Sequence, residues 1–346
     1  MTAKKQQIPQ AALENRPAGF GDDADLNRVA ARYAVRVTPA VYDTIAKPAP
    51  DDPVALQYLP DARELSETPD ELADPIGDHS HSPVPGIVHR YPDRVLLMPV
   101  SRCAVYCRYC FRREKVGKGA GLLEPAQLDA ALDYIRQNKN IWEVILSGGD
   151  PLILSPRRLG HILAELDKID HIGVIRIHSR VPVADPDRIT DALCTLLKKM
   201  QKPVYIAIHI NHAQELSPAV ETAFKKLHKA GCVLLSQSVL LKGVNNDAAT
   251  LETLFRRLVS LRVRPYYLHH PDKAPGTAHF RLPLAEGQQI MRELRGRLSG
   301  LAQPVYMLDI PGGHGKIPLT PCYLSAEGDG IYQISDPSGR THFYQD

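Results

Sequence analysis

Three thiols stand together in "SRCAVYCRYCFRRE" (101–114): Cys103, Cys107 and Cys110, spaced CxxxCxxC. Three is one too many for a disulfide and one short of a closed zinc site, which usually takes four ligands. A 4Fe–4S cluster held by three thiolates, with one iron left open, fits the number. Zinc completed by a distant histidine, and incidental buried thiols, stand as alternatives, although no partner CxxC occurs elsewhere. A second stretch, "MLDIPGGHGKIP" (307–318), carries Lys316 on glycine-rich backbone. It is not a phosphate loop: GxxxxGK[ST] needs Gly at 310 and Ser or Thr at 317, where the chain has Ile310 and Ile317. Pro318 also bars the helix that should follow. A lysine on such backbone suits a Schiff base with an aldehyde cofactor, as pyridoxal 5′-phosphate (PLP) requires. A glycine turn bearing a solvated lysine is the plain alternative. Third, "ILSGGDP" (145–151) sets Ser147, Gly148, Gly149 and Asp150 at the end of an apolar run. Most Gly-Gly pairs only mark tight turns, but absent side chains also let backbone approach a ligand.

These residues need a scaffold, and the pattern supplies one. Short β-branched runs recur at 94–101, 142–150, 173–180, 203–211, 232–241, 264–272 and 304–313. Segments of helical spacing lie between each run and the next, several opening with Ser or Asp followed by Pro. The alternation, with a period near 30 residues, predicts a parallel sheet buried on both faces. Each run is apolar through its body and polar at its C-terminal end: Ser147 to Asp150, His178-Ser179-Arg180, His209, Gln237, His269-His270 with Asp272, and Asp309. Polar groups from six strand ends favour a full or partial β/α barrel, whose strand ends meet on one active face, over an open sheet with one switch point. "HINHAQE" (209–215) has the look of a metal triplet, but a satisfied polar turn is the better reading.

At 346 residues, with 44% hydrophobic and 23% charged residues, the chain has ordinary globular composition. A net charge of +3 argues for neither nucleic acid nor a membrane surface. The N-terminus has no apolar h-region and no apolar run approaches membrane-spanning length, so a cytoplasmic protein with reduced thiols is expected. Cys194, Cys232 and Cys322 are read as buried, inert thiols. Residues 1–20 read as a loose arm, 25–46 as helical with a break near Pro39, 47–90 as rich in Pro and Asp, and "SHSPVPGIVHRYPDR" (80–94) as ordered extended chain.

A CxxxCxxC with an aromatic before its last cysteine resembles the radical S-adenosylmethionine (SAM) signature. Together with "HSPVPGIVHRYPDRVLL" (81–97), "LSGGDPL", "SQSVLLKGVN", "PYYLHHPD…HFR" and "DIPGGHGKIP", in that order and spacing, the chain resembles the lysine 2,3-aminomutase family from about residue 30 to 320. The resemblance implies a parallel (partial) β/α barrel of radical SAM type with an N-terminal helical and extended extension. It implies three cofactors: a 4Fe–4S cluster on Cys103, Cys107 and Cys110, SAM, and PLP bound as a Schiff base to Lys316. Arg90 and Arg94 would hold the PLP phosphate. Ser147, Gly148, Gly149, His209 and Gln237 would lie along SAM. Arg112 would clasp the substrate carboxylate, and Asp272 and Asp309 would receive a distal ammonium group, choosing lysine over glutamate. The implied activity is interconversion of L-lysine and β-lysine through a SAM-derived radical, with an electron donor such as flavodoxin or ferredoxin. A homo-oligomer is compatible with this; nucleic acid and membrane are not implied partners.

The expected layout is an extension over 1–90, a barrel over 91–320 and a short C-terminal tail over 321–346. His314 replaces a usual glycine of the Lys316 loop and is expected to alter its folding. With Cys322 the only cysteine after the barrel, no zinc clasp between subunits is expected. Short length resembles the branch that supplies β-lysine for elongation factor P, whereas the Asp309 loop resembles the free-lysine branch. An aminomutase for another amino acid, a radical SAM enzyme without PLP, and a non-enzymatic metal-binding module are the competing readings.

Overall fold

The computed structural model describes residues 21–46, 51–117 and 121–346; the expected arm over 1–20 lies outside them. All seven β-branched runs form strands. β1 (Ile87–Tyr91) pairs antiparallel with β2 (Arg94–Val100). Then follow, each parallel to the last, β3 (Glu143–Gly148), β4 (Val174–Ser179), β5 (Val204–His209), β6 (Val233–Val239), β7 (Arg264–His269) and β8 (Val305–Asp309). β9 (Lys316–Pro318) turns back antiparallel on β8. The sheet order ends at β1 and β9, which are not ladder partners, so the barrel is partial. Its two edges nonetheless approach: the Lys316 backbone N–H donates to the Tyr91 hydroxyl at 2.9 Å.

Helices α2 (Pro125–Gln137), α3 (Pro156–Asp167), α4 (Asp191–Lys198), α5 (Pro218–Lys229), α6 (Ala248–Ser260) and α7 (Leu284–Arg297) cover the outside, after α1 (Asp23–Arg32) in the extension. Their starts follow the capping chemistry. Ser155, Thr190, Ser217 and Asp247 each accept a hydrogen bond from the backbone three residues on, and proline fills the first helical position of α2, α3 and α5. Side chains alternate across the sheet. Val95, Leu97, Val144, Leu146, Ile175, Ile177, Ile206, Ile208, Leu234 and Leu268 turn outward into one core with the helices. The alternate positions, including Met98, Ser147, His178, His209, Gln237, His269 and Asp309, therefore line the concave side. Buried polar side chains collect there because that side is not packed by helices.

The break expected near Pro39 is real. α1 stops at Arg32, the chain runs extended, and a one-turn helix restarts at Pro39 with Thr38 as cap. Leu26, Val41, Ile45, Val54, Tyr58 and Leu59 then pack on each other and on Val105 and Cys107, so the extension forms the outer wall of the cysteine loop. β1 straddles residue 90, carrying the sheet back to Ile87. Beyond residue 320 lies a separate antiparallel sheet, β10 (Leu324–Gly328), β11 (Ile331–Ser335) and β12 (Thr341–Gln345). Of the cysteines read as buried, Cys232 is buried and Cys194 half-buried. Cys322 is exposed, correcting that reading: it follows the last barrel strand at the surface, and its thiol donates to the Leu324 carbonyl at 2.9 Å. No helix among the described residues is long and apolar enough to cross a membrane.

Candidate active site

The loop after β2 carries the three cysteines, all free and half-buried. Burial raises the Cys103 thiol well above its usual range, and Asp150, Cys110 and Cys107 raise it further. Burial likewise takes Cys110 to about 11, with Cys107 adding to the rise. Cys103 and Cys110 therefore need a cationic partner to ionise. Among the described residues no three metal-ligating side chains converge on a single ion. Three thiols on one loop form a donor set that suits a polynuclear iron–sulfur group, whose ligands bind different irons.

The loop is clamped from both sides. Buried Glu64 pairs with Arg108 at 2.5 Å and also with Arg113. The Arg108 N–H donates to the Gln57 carbonyl at 2.8 Å and the Tyr106 N–H to Arg36 at 3.1 Å. Tyr109, the aromatic before Cys110, accepts from Asn211 Nδ2 at 2.7 Å and from Arg180, and stands edge-on to Phe280. On the barrel side, the Gly149 N–H donates to Val100 at 2.7 Å and the Asp150 N–H to Arg102 at 2.9 Å. A Cβ on Gly149 would sit 2.2 Å from the Arg102 carbonyl oxygen, and Gly148 has φ of +100°. Backbone packing alone therefore demands both glycines. Asp150 is fully engaged, accepting from Ser179 Oγ at 2.7 Å and from the N–H groups of Leu152, Arg180 and Val181.

Lys316 stands opposite Asp309 in the β8–β9 ladder, and its ammonium contacts the Asp309 carboxylate. Arg90 Nη1 donates to the same carboxylate at 3.2 Å. Arg90 in turn lies 3.9 Å from Asp78, which accepts from Arg112 Nε at 2.7 Å. Cation and anion alternate from Lys316 through Asp309, Arg90 and Asp78 to Arg112. Asp78 was not singled out from sequence. Its only signal is its place just ahead of the 81–97 motif, in a run where several polar residues look alike. Burial lowers the Lys316 amine to about 8, with Asp272 raising it and Arg90 and Arg112 lowering it. Burial lifts the Asp272 carboxyl to about 6 against the pull of Lys316 and Arg112. No hydrogen bond to the Asp272 carboxylate is found among the described residues.

The loop reaches this geometry with left-handed backbone at Gly312, Gly313 and Gly315. His314, between Gly313 and Gly315, is exposed and lies outside the left-handed region. Arg94 is not part of the ion chain. It begins β2, at the end away from the cysteines, where it stacks over Tyr91 at 3.9 Å and pairs with Asp93 at 2.7 Å. One phenol thus separates it from the Lys316 backbone. Ser147 accepts from Arg112 Nη1 at 3.5 Å, while His209 and Gln237 are register partners on β5 and β6. Burial, then Arg180 and Arg112, holds His209 neutral down to about 3; burial with nearby cations also lowers His178 and His269. Buried Arg90 Nε and His178 Nε2 lack partners among the described residues, leaving a donor for an anion and a free imidazole nitrogen on the concave side. The end of "HINHAQE" is held by hydrogen bonds of its own: Glu215 pairs with Arg180 at 2.6 Å and accepts from the Asn211 and His212 N–H groups at 2.9 Å.

A partial parallel barrel with three thiols on its first strand-end loop defines a radical SAM protein, and the radical SAM superfamily matches residues 97–254, which contain those thiols. The lysine-2,3-aminomutase family matches residues 291–331, which contain Asp309 and Lys316. The L-lysine 2,3-aminomutase of Clostridium subterminale is 42% identical over 291 residues, covering 84% of this chain and 70% of that protein. A putative L-lysine 2,3-aminomutase of Aquifex aeolicus is 39% identical over 325 residues, 94% of this chain and 88% of that one. A glutamate 2,3-aminomutase of Clostridioides difficile is 39% identical over 289 residues, 84% and 68%. The chain belongs to the lysine 2,3-aminomutase family. A 4Fe–4S cluster, SAM and PLP are the cofactors of that family.

Proposed function

We propose that this protein is an L-lysine 2,3-aminomutase that interconverts L-lysine and β-lysine. The observation that carries the reading is the pair of carboxylates, Asp272 and Asp309, gathered around the amine of Lys316, with Arg112 beyond Asp78. When bound, the cluster with SAM supplies a hydrogen-abstracting radical, and PLP supplies the conjugated system through which an amino group shifts. The chain's own residues do the rest. Cys103, Cys107 and Cys110 bind iron, and Lys316 offers an amine whose lowered pKa keeps a usable neutral fraction near pH 7.5. Arg90, with an unpartnered Nε, accepts the PLP phosphate, and Arg94 supports it from behind Tyr91. Ser147, Gly148, Gly149, His209 and Gln237 line the space beside SAM. The free end of Arg112 takes the substrate carboxylate by charge-assisted hydrogen bonds.

Asp272 and Asp309 take the substrate's distal ammonium, and both would repel a side-chain carboxylate, which disfavours glutamate. A cytoplasmic location, a one-electron donor of the flavodoxin or ferredoxin kind, and a homo-oligomer complete the reading. The test is anaerobic reconstitution with iron, sulfide, PLP and SAM, followed by parallel assays on L-lysine and L-glutamate. β-Lysine from lysine with glutamate untouched is expected; preferential turnover of glutamate or alanine would overturn the substrate assignment.

A further inference from the structure

We infer that Asp78 is a positioning residue for substrate recognition, fixing Arg112 so that only one end of its guanidinium faces the site. The inference rests on the lysine aminomutase reading and names how that site orients its carboxylate clasp. Asp78 is 1% exposed. Its carboxylate accepts from Arg112 Nε at 2.7 Å and Nη2 at 3.4 Å, and the next cation, Arg90 Nη2, is 3.9 Å away. No backbone N–H among the described residues donates to this carboxylate, unlike Asp150 or Glu215. The side chain therefore serves the two arginines and not its own turn. The Nε edge of Arg112 is occupied, and the opposite nitrogen, Nη1, points to Ser147 Oγ at 3.5 Å, on the rim of β3. The guanidinium also lies 4.5 Å over the Phe111 ring, which limits its swing. A substrate carboxylate then meets a preset end and not a mobile fork, which lowers the ordering cost of binding.

The turn holding Asp78 is itself fixed to the Lys316 loop. The Asp78 N–H donates to Asp74 Oδ1 at 3.0 Å. The Gly312 N–H donates to Pro75 at 3.0 Å, and a Cβ on Gly77 would lie 2.8 Å from the Gly312 carbonyl oxygen. Arg90 also donates to the Ile76 carbonyl. One short strap thus references the carboxylate clasp at Arg112 to the loop that carries Lys316.

The experiment measures lysine affinity without turnover, from the PLP absorbance change of the cluster- and PLP-loaded enzyme lacking SAM. Asp78→Asn is expected to weaken lysine binding about tenfold with iron and PLP content retained, and to lower the melting temperature because a buried acid between two arginines loses its charge. Arg112→Gln should weaken it at least as much, and the double variant should be no worse than Arg112→Gln alone, because Asp78 acts through Arg112. Equal affinity in Asp78→Asn and wild type, or losses that multiply in the double variant, would overturn the inference. If Asp78→Asn does not fold, Asp78→Glu decides: displacing the carboxylate by one methylene is expected to weaken lysine several-fold, and unchanged affinity sinks the idea. Wild-type protein that fails to bind lysine at all refutes the aminomutase reading instead.

Discussion

Two titrations separate the roles of the charged residues. Lys316 is cationic below about 8, so PLP uptake by the PLP-free protein should accelerate as pH rises through that value and level off above it. Borohydride fixation and peptide mapping should place the pyridoxyl label on Lys316; a label on Lys242 or Lys273 would remove the assignment. Asp272 works in the opposite sense. Its carboxyl loses charge as pH falls through about 6, so lysine binding should weaken below that pH. Asp272→Asn should weaken binding about tenfold at pH 7.5, the worth of one charge-assisted hydrogen bond of about 1.5–3 kcal/mol, and should flatten the acid limb. A limb that persists in Asp272→Asn would assign it to another group. Asp309 differs because it holds both Lys316 and Arg90, so Asp309→Asn is expected to loosen PLP as well as lysine. The cysteines and Lys316 were legible because odd thiol spacing and a glycine-borne lysine are rare signals. Asp78 was not, because a buried acid between two arginines is defined only once distant segments meet.

Elements were legible in proportion to their burial. All seven core strands carry β-branched runs because their outer faces are packed into the core with the helices. β9 spans three residues with its last two exposed, and β1 is a half-polar edge, so neither has that signature. The β10–β12 sheet is joined by glycine-bearing turns at 328–330 and 336–339, but β10 and β12 are exposed throughout and β11 is only half-buried. The double glycine was read partly for ligand approach, whereas packing against the cysteine loop already requires it. Gly149→Ala should therefore push the Arg102 backbone, displace the cysteine loop and lower the iron bound on reconstitution severalfold. Gly300→Ala, where a new methyl meets nothing within 4 Å, should leave iron content unchanged. Iron analysis of the two variants side by side checks this; full iron in Gly149→Ala would mean that the loop tolerates the shift.

Across the whole molecule, the extension and the barrel share one buried polar network beneath the cysteine loop. Tyr58, from the one-turn helix Ala55–Tyr58, is fully buried and donates to Glu215 Oε2 at 3.0 Å while accepting from Arg180. Gln57 beside it accepts from Arg180 Nη2 at 2.8 Å and from Asn211 Nδ2 at 3.0 Å, and its backbone carbonyl holds the loop at Arg108. The extension therefore joins the ends of β4 and β5 to the segment that carries the thiols. Removing one hydroxyl leaves the Arg180 Nε without a partner where water does not reach, while Glu215 Oε2 keeps Arg180 Nη2, at a cost of about 1–3 kcal/mol. Tyr58→Phe should keep its secondary structure and a single melting transition but lower the midpoint by about 1–2 °C per kcal/mol. Because the same helix holds Arg108, iron should also leave the reconstituted variant faster in the presence of a chelator. Calorimetry and chelator kinetics measure the two effects. An unchanged melt with unchanged iron release would mean that the extension contributes neither stability nor protection to the site.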